Sequence, residues 1–476
     1  MMAINIELND ENFRYDVFLI FNIFYLLEDV LINKSEANDF KVFIESDKMT
    51  LSHKNHEKAY ELKENKKESI KRGVFKFLTE VTGEEHPWGT MVGIRPSKIA
   101  SSLLKDGKSE DEIVATYKES YLASAEKSKL CIEVAKREEK FLKSSKDQVS
   151  IYVGMPFCPT RCLYCSFASN PISACKKQVP TYLEALKKEI NAINEYILSK
   201  SIKVNTVYFG GGTPTSVNNE DFEDLMKVIY EKIITPFKPL EFTVECGRPD
   251  SITEEKLITM KNYEVSRISI NPQSMNNETL RTIGRGHTKE AVVEKFNLAR
   301  KLGFENINMD IIVGLPGEGI QEVNNSYKEI MDLKPDSLTV HGMSIKRASR
   351  LHEELVLGRK LYRPKQEELK EMYDKTRELS EELGMNPYYM YRQKNMVGNM
   401  ENIGYSKEGS ECVYNIVMIE DIETIIALGA DAVSKVVFKD ENRIERTANV
   451  KDVNEYINRI DEMIENKISL LNTLYK

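Results

Sequence analysis

The chain has 476 residues, 41% apolar and 30% charged, with Gly 23 and Pro 15. That composition excludes collagen, low complexity and wholesale disorder, and the length allows about three domains, fewer if one is a barrel. Lys and Arg number 67 against 75 Asp and Glu, a net charge of −8, so no global basic balance draws the chain to nucleic acid.

The first long apolar run, Val17 to Leu27, is interrupted by Asn22 and is far short of the roughly 20 residues of a membrane span. Acidic residues (Glu7, Asp10, Glu11, Asp16) precede it, where a signal peptide carries positive charge. The run is therefore predicted as a buried helix and the protein as cytoplasmic. Residues 1–147 read as an N-terminal α+β domain: mixed structure, then charged helices, with a compact loop from His86 to Pro96 holding the only tryptophan, Trp88. No 20–50-residue repeat is present, which excludes a solenoid. The polar stretch from Lys143 to Gln148 marks a boundary.

Beyond it, short strands alternate with amphipathic helices. Strands rich in Val, Ile, Tyr and Phe are predicted at 150–155, 204–209, 240–245, 265–270, 307–313 and 336–341. Leu183, Leu186, Ile190, Ile193 and Ile197 recur on one helical face, and further helices fit 220–233, 253–262, 288–302 and 319–333. Six βα units imply a parallel sheet with right-handed crossovers. The fold class is α/β. Residues 148–345 would form a doubly wound sheet or a partial (β/α)6 barrel, followed by a mostly helical C-terminal region over 346–476. In a barrel, chemistry gathers on the loops after each strand.

Those loops carry the motifs. Seven cysteines are too few, and odd in number, for a disulfide framework. Three of them, Cys158, Cys162 and Cys165, share the loop after the first barrel strand, spaced C-x3-C-x2-C. A zinc site wants a fourth ligand and usually two separated pairs, and no histidine is near. An iron–sulfur cluster takes four cysteines, so three leave one iron open to a ligand that is not protein. The second strand ends in Tyr208-Phe209-Gly210-Gly211-Gly212-Thr213-Pro214, where glycines let backbone approach a ligand. Polar groups close the later strands: Glu245, Gln273 with Arg285 downstream, and Asp310. Singly each fits a helix cap or a loop ion pair; in series they suit a polar ligand above a barrel.

C-x3-C-x-aromatic-C directly after the first strand resembles the radical S-adenosylmethionine (SAM) superfamily. Residues 150–345, with the stretch from Ile425 to Ser434, are similar to the oxygen-independent coproporphyrinogen III oxidase family. Gly93-Ile94-Arg95-Pro96, Tyr391 to Met396 and Asn402 to Tyr405 resemble its HemZ branch. The resemblance implies a radical SAM barrel in which Cys158, Cys162 and Cys165 hold a 4Fe–4S cluster. It implies that Tyr152, Gly211 and Glu245 contact the cluster-bound SAM. Tyr164, Gly212, Thr213, Gln273, Arg285, Asp310 and Ser344 would line a second SAM site, with Val433 as a further contact. It also implies a flavodoxin or ferredoxin donor and a tetrapyrrole substrate, whose propionates a 5′-deoxyadenosyl radical would convert to vinyl groups. Two positions depart from the family pattern: Gly154 replaces a His, and Phe167 replaces a Cys found in the bacterial oxidase. Both bear on substrate handling and proton management. Arg347, Arg350, Arg392 and Lys394 are candidate cations for propionates, or else a solvated basic face. A heme-binding chaperone, or another radical reaction on a tetrapyrrole such as methylation linked to ring opening, uses the same scaffold.

Overall fold

The computed structural model describes residues 3–25, 29–35, 37–143, 145–357, 362 and 364–475. Strands β1 (Ala3–Leu8), β2 (Asp29–Ile32), β3 (Phe40–Ile44), β4 (Lys48–His53) and β5 (His56–Glu61) form a sheet in the order β2-β1-β3-β4-β5. β1 runs parallel to β2 and β3, and the rest pair antiparallel. β3 alternates Phe40, Val42 and Ile44 inward with Lys41 and Phe43 outward, the period of a strand with one buried face. Helices α1 (Arg14–Phe24) and α2 (Lys66–Thr82) cover that face with Val17, Ile20, Phe21, Val74 and Phe77. The predicted N-terminal helix is thus α1; Leu26 and Leu27, the end of its apolar run, lie outside the described residues, as does Ser144 of the boundary stretch.

The buried side chains change core between Leu78 and Trp88. Helices α3 (Ser97–Lys105), α4 (Glu110–Tyr121) and α5 (Ala125–Glu138) share the main core of the downstream sheet and its helices. Trp88 is fully buried there. Its Nε1 donates to Glu401 Oε2 at 2.7 Å, and Lys127 Nζ donates to Glu401 Oε1 at 2.7 Å, which ties the front loop to the C-terminal region.

The barrel strands are β6 (Gln148–Met155), β7 (Lys203–Gly211), β8 (Glu241–Gly247), β9 (Arg267–Ile270), β10 (Ile307–Val313) and β11 (Ser337–Gly342), all parallel and in spatial sequence. Helices α6 (Val179–Ser199), α7 (Asn219–Ile229), α8 (Glu254–Asn262), α9 (Lys289–Lys301) and α10 (Ile320–Leu333) connect most of them. The predicted face of α6 is buried at all five positions. All six predicted strands and all five predicted helices are present, with ends shifted by a few residues; the helix expected over 220–233 passes at Tyr230 into a wider turn.

The C-terminal region carries more helix than strand, including α11 (Gln366–Glu382) and α12 (Val413–Glu420), yet its strands complete the sheet. β12 (Asn386–Tyr391) and β13 (Asn402–Ser406) extend it antiparallel beyond β11. β14 (Thr424–Leu428) joins the other edge as a seventh parallel strand, with Thr424 beside Val149 and Leu428 beside Val153, and β15 (Val433–Phe438) and β16 (Arg443–Ala448) follow it. α12 packs against β7 and β12, its Tyr414 ring stacked on Tyr208 at 4.6 Å. Behind the barrel, α6 holds this region through Glu189. Its carboxylate accepts from Gly429 N (2.8 Å), Tyr456 Oη (2.6 Å) and Asn449 Nδ2 (2.9 Å) and pairs with the buried Lys467. No helix among the described residues is long and apolar enough to cross a membrane.

Candidate active site at the barrel mouth

The cysteine loop leaves β6 and is pinned from several sides at the C-terminal end of the barrel. Gly212 N donates to Met155 O at 2.6 Å and Thr213 N to Phe157 O at 2.8 Å, so the glycine turn after β7 forms its base. Arg248, just after β8, donates from Nη1 to Thr160 Oγ1 at 2.6 Å. Leu163 N donates to Ile283 O and Leu351 N to Leu163 O, each at 2.9 Å. Arg161 Nη2 reaches Ala348 O at 2.7 Å. Segments following β7, β8, β9 and β11 therefore fix one loop whose own sequence contains little regular structure.

Cys158 and Cys162 are buried and Cys165 is half-buried, all three as free thiols. Thr213 Oγ1 lies 3.5 Å from Cys158 Sγ. Burial pushes the Cys158 thiol up to about 12, against the pull of that hydroxyl and, more weakly, of Arg248; metal binding removes such a proton outright. The other four cysteines lie elsewhere or face away. Cys246 points to Met260 Sδ at 3.8 Å, and Cys412 lies against Glu241 Oε1 at 3.3 Å.

Two glycines leave room that no other residue would. At Gly212 a Cβ would sit 2.5 Å from Phe157 O and 3.0 Å from Cys158 Sγ. Gly211 has φ +105°, and its Cβ would meet Met155 O at 2.8 Å and Tyr152 Oη at 3.2 Å. Both positions need backbone without a side chain, Gly211 for its conformation and its crowding and Gly212 for crowding alone.

Inside the mouth, Tyr208 Oη donates to Glu245 Oε1. Tyr152 stacks beside Tyr208, with centroids 6.2 Å apart and planes 15° apart. Burial raises the Glu245 carboxyl to about 7, helped by Asp310 and opposed by the Tyr208 hydrogen bond. Asp310 goes the other way. Burial works to raise it, but His341, Asn308 and Thr339 outweigh burial and hold it below the usual range. Gln273 adopts φ +66° while its N donates to Asp310 O at 2.9 Å; its buried Oε1 has no partner within the protein. Arg285 is buried, bonded to Tyr164 Oη at 3.1 Å and Asn271 O at 2.8 Å, and its Nε is likewise unpartnered.

The structure thus brings Thr213 and Gly212 against Cys158, Arg285 against Tyr164, and Glu245, Gln273 and Asp310 around one opening. Ser344 and Val433 lie on the flanks: Ser344 Oγ donates to Lys394 O at 3.1 Å, and Val433 opens β15 with 47% exposure. Arg347, Arg350 and Lys394 are exposed. Arg392 is not an available cation, contrary to expectation. It is buried, its guanidinium 4.9 Å from the Trp88 ring centroid, and it donates to Asn399 O at 2.7 Å and to Met91 O. Nothing near Arg392 in the sequence announces a partner so far upstream. Sequence reasoning also gave no role to His341, Asn402 and Tyr414; His341 closes a predicted strand and Asn402 opens one of the family-like strings, whereas Tyr414 carries no readable signal.

A radical SAM superfamily profile matches residues 152–330. The chain is 42% identical to the oxygen-independent coproporphyrinogen-III oxidase-like protein HemZ of Bacillus subtilis, covering 86% of this chain and 82% of that one. The chain belongs to the HemZ-like family of radical SAM proteins. It is also 31% identical to the heme chaperone HemW of Bacillus subtilis, over 66% of this chain and 76% of the relative. The solved structure of the coproporphyrinogen III oxidase HemN from Escherichia coli shares the fold, with a TM-score of 0.51 at 22% identity over 68% of this chain and 72% of that one. The cofactors of this HemZ-like chain are those of its superfamily, a 4Fe–4S cluster and SAM, and the mouth fits them. Three free thiols on one pinned loop supply soft ligands suited to iron–sulfur chemistry, and the glycine turn leaves backbone open beside Cys158. Among the described residues no group of three or more His, Cys, Asp or Glu side chains, the three thiols included, is already arranged to hold a metal ion; it is the number and chemistry of the thiols on one loop that fit the cluster.

Proposed function

We propose that this HemZ-like protein catalyses the oxygen-independent oxidative decarboxylation of coproporphyrinogen III propionates to vinyl groups, giving protoporphyrinogen IX. The observation that carries the reading is the mouth itself: a three-cysteine loop, a glycine turn against it, and a polar set of half-buried Glu245, Gln273 and Asp310 with buried Arg285. Cys158, Cys162 and Cys165 hold the cluster, while Tyr152, Gly211 and Glu245 contact the SAM bound to it. Tyr164, Gly212, Thr213, Gln273, Arg285, Asp310 and Ser344 line a second SAM position, with Val433 at its edge. When bound, the reduced cluster and SAM would supply a radical that removes hydrogen from the β-carbon of a propionate, and loss of CO2 with one electron passed to an external acceptor would leave the vinyl group.

The protein's own part is to orient and to exclude water and oxygen. Gly211 and Gly212 let backbone approach the methionine end of SAM. Glu245, poised near 7 and bonded by Tyr208, accepts hydrogen bonds at neutral pH. Exposed Arg347, Arg350 and Lys394 meet propionates at the rim, guanidinium forks suiting carboxylates best. An external donor of flavodoxin or ferredoxin type reduces the cluster, since plant-type ferredoxin clusters sit near about −400 mV.

Heme binding without turnover is the second reading. The identity to HemW chaperones supports it, as does Gly154, which stands where the oxidase pattern has a His. The deciding experiment reconstitutes the cluster anaerobically, adds SAM, reductant and coproporphyrinogen III, and follows products by mass spectrometry. Loss of two CO2 with formation of 5′-deoxyadenosine is expected, and Cys162→Ala should abolish both while leaving the circular dichroism spectrum unchanged. Stoichiometric heme binding with intact propionates would replace the oxidase reading by the chaperone one.

A further inference from the structure

His341 is the penultimate residue of β11, near the barrel mouth, and none of the roles above uses it. Its Nε2 lies 3.6 Å from Asp310 Oδ2, with 27% of its side chain exposed against 16% for Asp310. The other oxygen of Asp310, Oδ1, accepts from Asn308 Nδ2 at 2.7 Å. Asn308 is itself fixed: its Oδ1 accepts from Ser337 at 3.0 Å and from Thr339 at 3.2 Å, and its Nδ2 also reaches Ser269 Oγ at 2.8 Å. On the far side Asn402 of β13 accepts from Gly342 N, the residue after His341, at 3.1 Å, and its Nδ2 reaches Tyr391 O at 3.4 Å. One carboxylate is thus clamped at both oxygens by side chains anchored on β9, β10 and β11.

We propose that His341 is a positioning residue whose imidazolium holds Asp310 ionised and aimed into the mouth, so that Asp310 meets the hydroxyl or ammonium donors of a bound SAM as a fixed acceptor. The inference rests on the reading of Asp310 as a SAM contact. A carboxylate this deep would favour its protonated form if left alone; a cation at one oxygen and an amide at the other reverse that preference. The groups facing the pair are accounted for. Glu245 from β8 reinforces the charge on His341, while Tyr389 and Tyr391 from β12 face Asp310 with phenols that burial keeps neutral. Burial acts against the charge on His341, and Asp310 outweighs burial, so the imidazole titrates above its ordinary value.

Two measurements test this. In cluster-free protein, the histidine ring resonances are followed against pH by NMR, with His341 assigned by its loss in His341→Gln. His341 should titrate above the ordinary imidazole value of about 6.5, and Asp310→Asn should lower it. In cluster-loaded protein, SAM affinity should fall about 10-fold in His341→Phe at neutral pH, the size of a lost charge-assisted contact. The decline of wild-type affinity as pH rises through the His341 titration should vanish in His341→Phe and in His341→Gln. A His341 that titrates at or below 6.5 regardless of Asp310, or variants with wild-type SAM affinity at every pH, would overturn the proposal. A wild-type protein that shows the NMR coupling yet binds no SAM would overturn the reading of the mouth instead.

Discussion

Two buried polar clusters in this molecule use similar residues to opposite ends. Around Glu189 on α6, both carboxylate oxygens are taken up by a lysine, a tyrosine, an asparagine and a backbone N–H, all from the C-terminal region. At the barrel mouth, Gln273 Oε1 and Arg285 Nε are buried without hydrogen-bond partners in the protein, and Gln273 sits at φ +66°. Backbone strain and unmet hydrogen bonds each cost free energy, and proteins tolerate them mainly where a ligand is handled. Burial of charge does not separate a lock from a site. What separates them is whether the hydrogen-bonding capacity of each group has been met from within the chain.

The largest effect should come from breaking the lock. Lys467 is 1% exposed and Glu189 fully buried, so Lys467→Met leaves a carboxylate without its counter-charge, a loss of about 3–5 kcal/mol. Urea denaturation should show this as a lowered midpoint. The double variant Lys467→Met with Glu189→Leu should recover much of it, because an apolar pair replaces a buried ion pair at little cost. Since Glu189 also holds Gly429, which follows β14, the single variant should loosen the seventh strand first, visible as faster amide exchange over 424–428 than over 307–313.

A smaller effect separates the mouth by pH. Folded Glu245 keeps its proton to about pH 7, whereas an unfolded Glu releases it near 4.3. The folded state therefore binds the extra proton between those values, and stability falls as pH rises through that window, by on the order of 3 kcal/mol. Glu245→Gln should abolish this share of the slope: relative to wild type it gains stability at pH 8 and not at pH 4. Tyr208→Phe sharpens the test, since removing a donor to the carboxylate should push Glu245 higher still. Equal slopes in wild type and Glu245→Gln would mean that Glu245 titrates normally and that the mouth resembles the lock.

Much of the fold and of the site is legible in the sequence. Alternation of short Val- and Ile-rich runs with helical faces located β6 to β11, because a buried parallel strand and its crossover helix write local patterns. The cysteine spacing and the three glycines located the loop and its cradle, and the steric demands at Gly211 and Gly212 explain why no other residue stands there. The unread parts are all long-range. The pairing of Thr424–Leu428 with β6, the Arg392–Trp88 contact and the stacking of Tyr414 on Tyr208 each join segments with no shared periodicity. Gly154 connects the two kinds of information. Its absent side chain was visible at once, but the reason is spatial: a Cβ would come within 3.1 Å of Leu428 O and 3.2 Å of Tyr152 Cε1. The departure from the family His and the seventh strand belong to one packing arrangement.

The smallest expected stability change is at Gln273, and it is the sharpest test of the comparison. Its backbone N and O bond Asp310 O and Ile312 N, each at 2.9 Å, and glycine would keep both. Gln273→Gly relieves a left-handed conformation worth about 1–2 kcal/mol but gives back about 0.5–1 kcal/mol through the freer unfolded chain. The net should lie within about 1 kcal/mol of wild type, so the melting temperature should hardly move, while SAM affinity of the cluster-loaded protein should drop several-fold with the amide gone. A variant that loses more than about 2 kcal/mol and still binds SAM normally would show that the Gln273 side chain supports the fold as Glu189 does. Retained stability with weakened SAM binding would mean that the strain at φ +66° is tolerated for the sake of what the amide side chain binds.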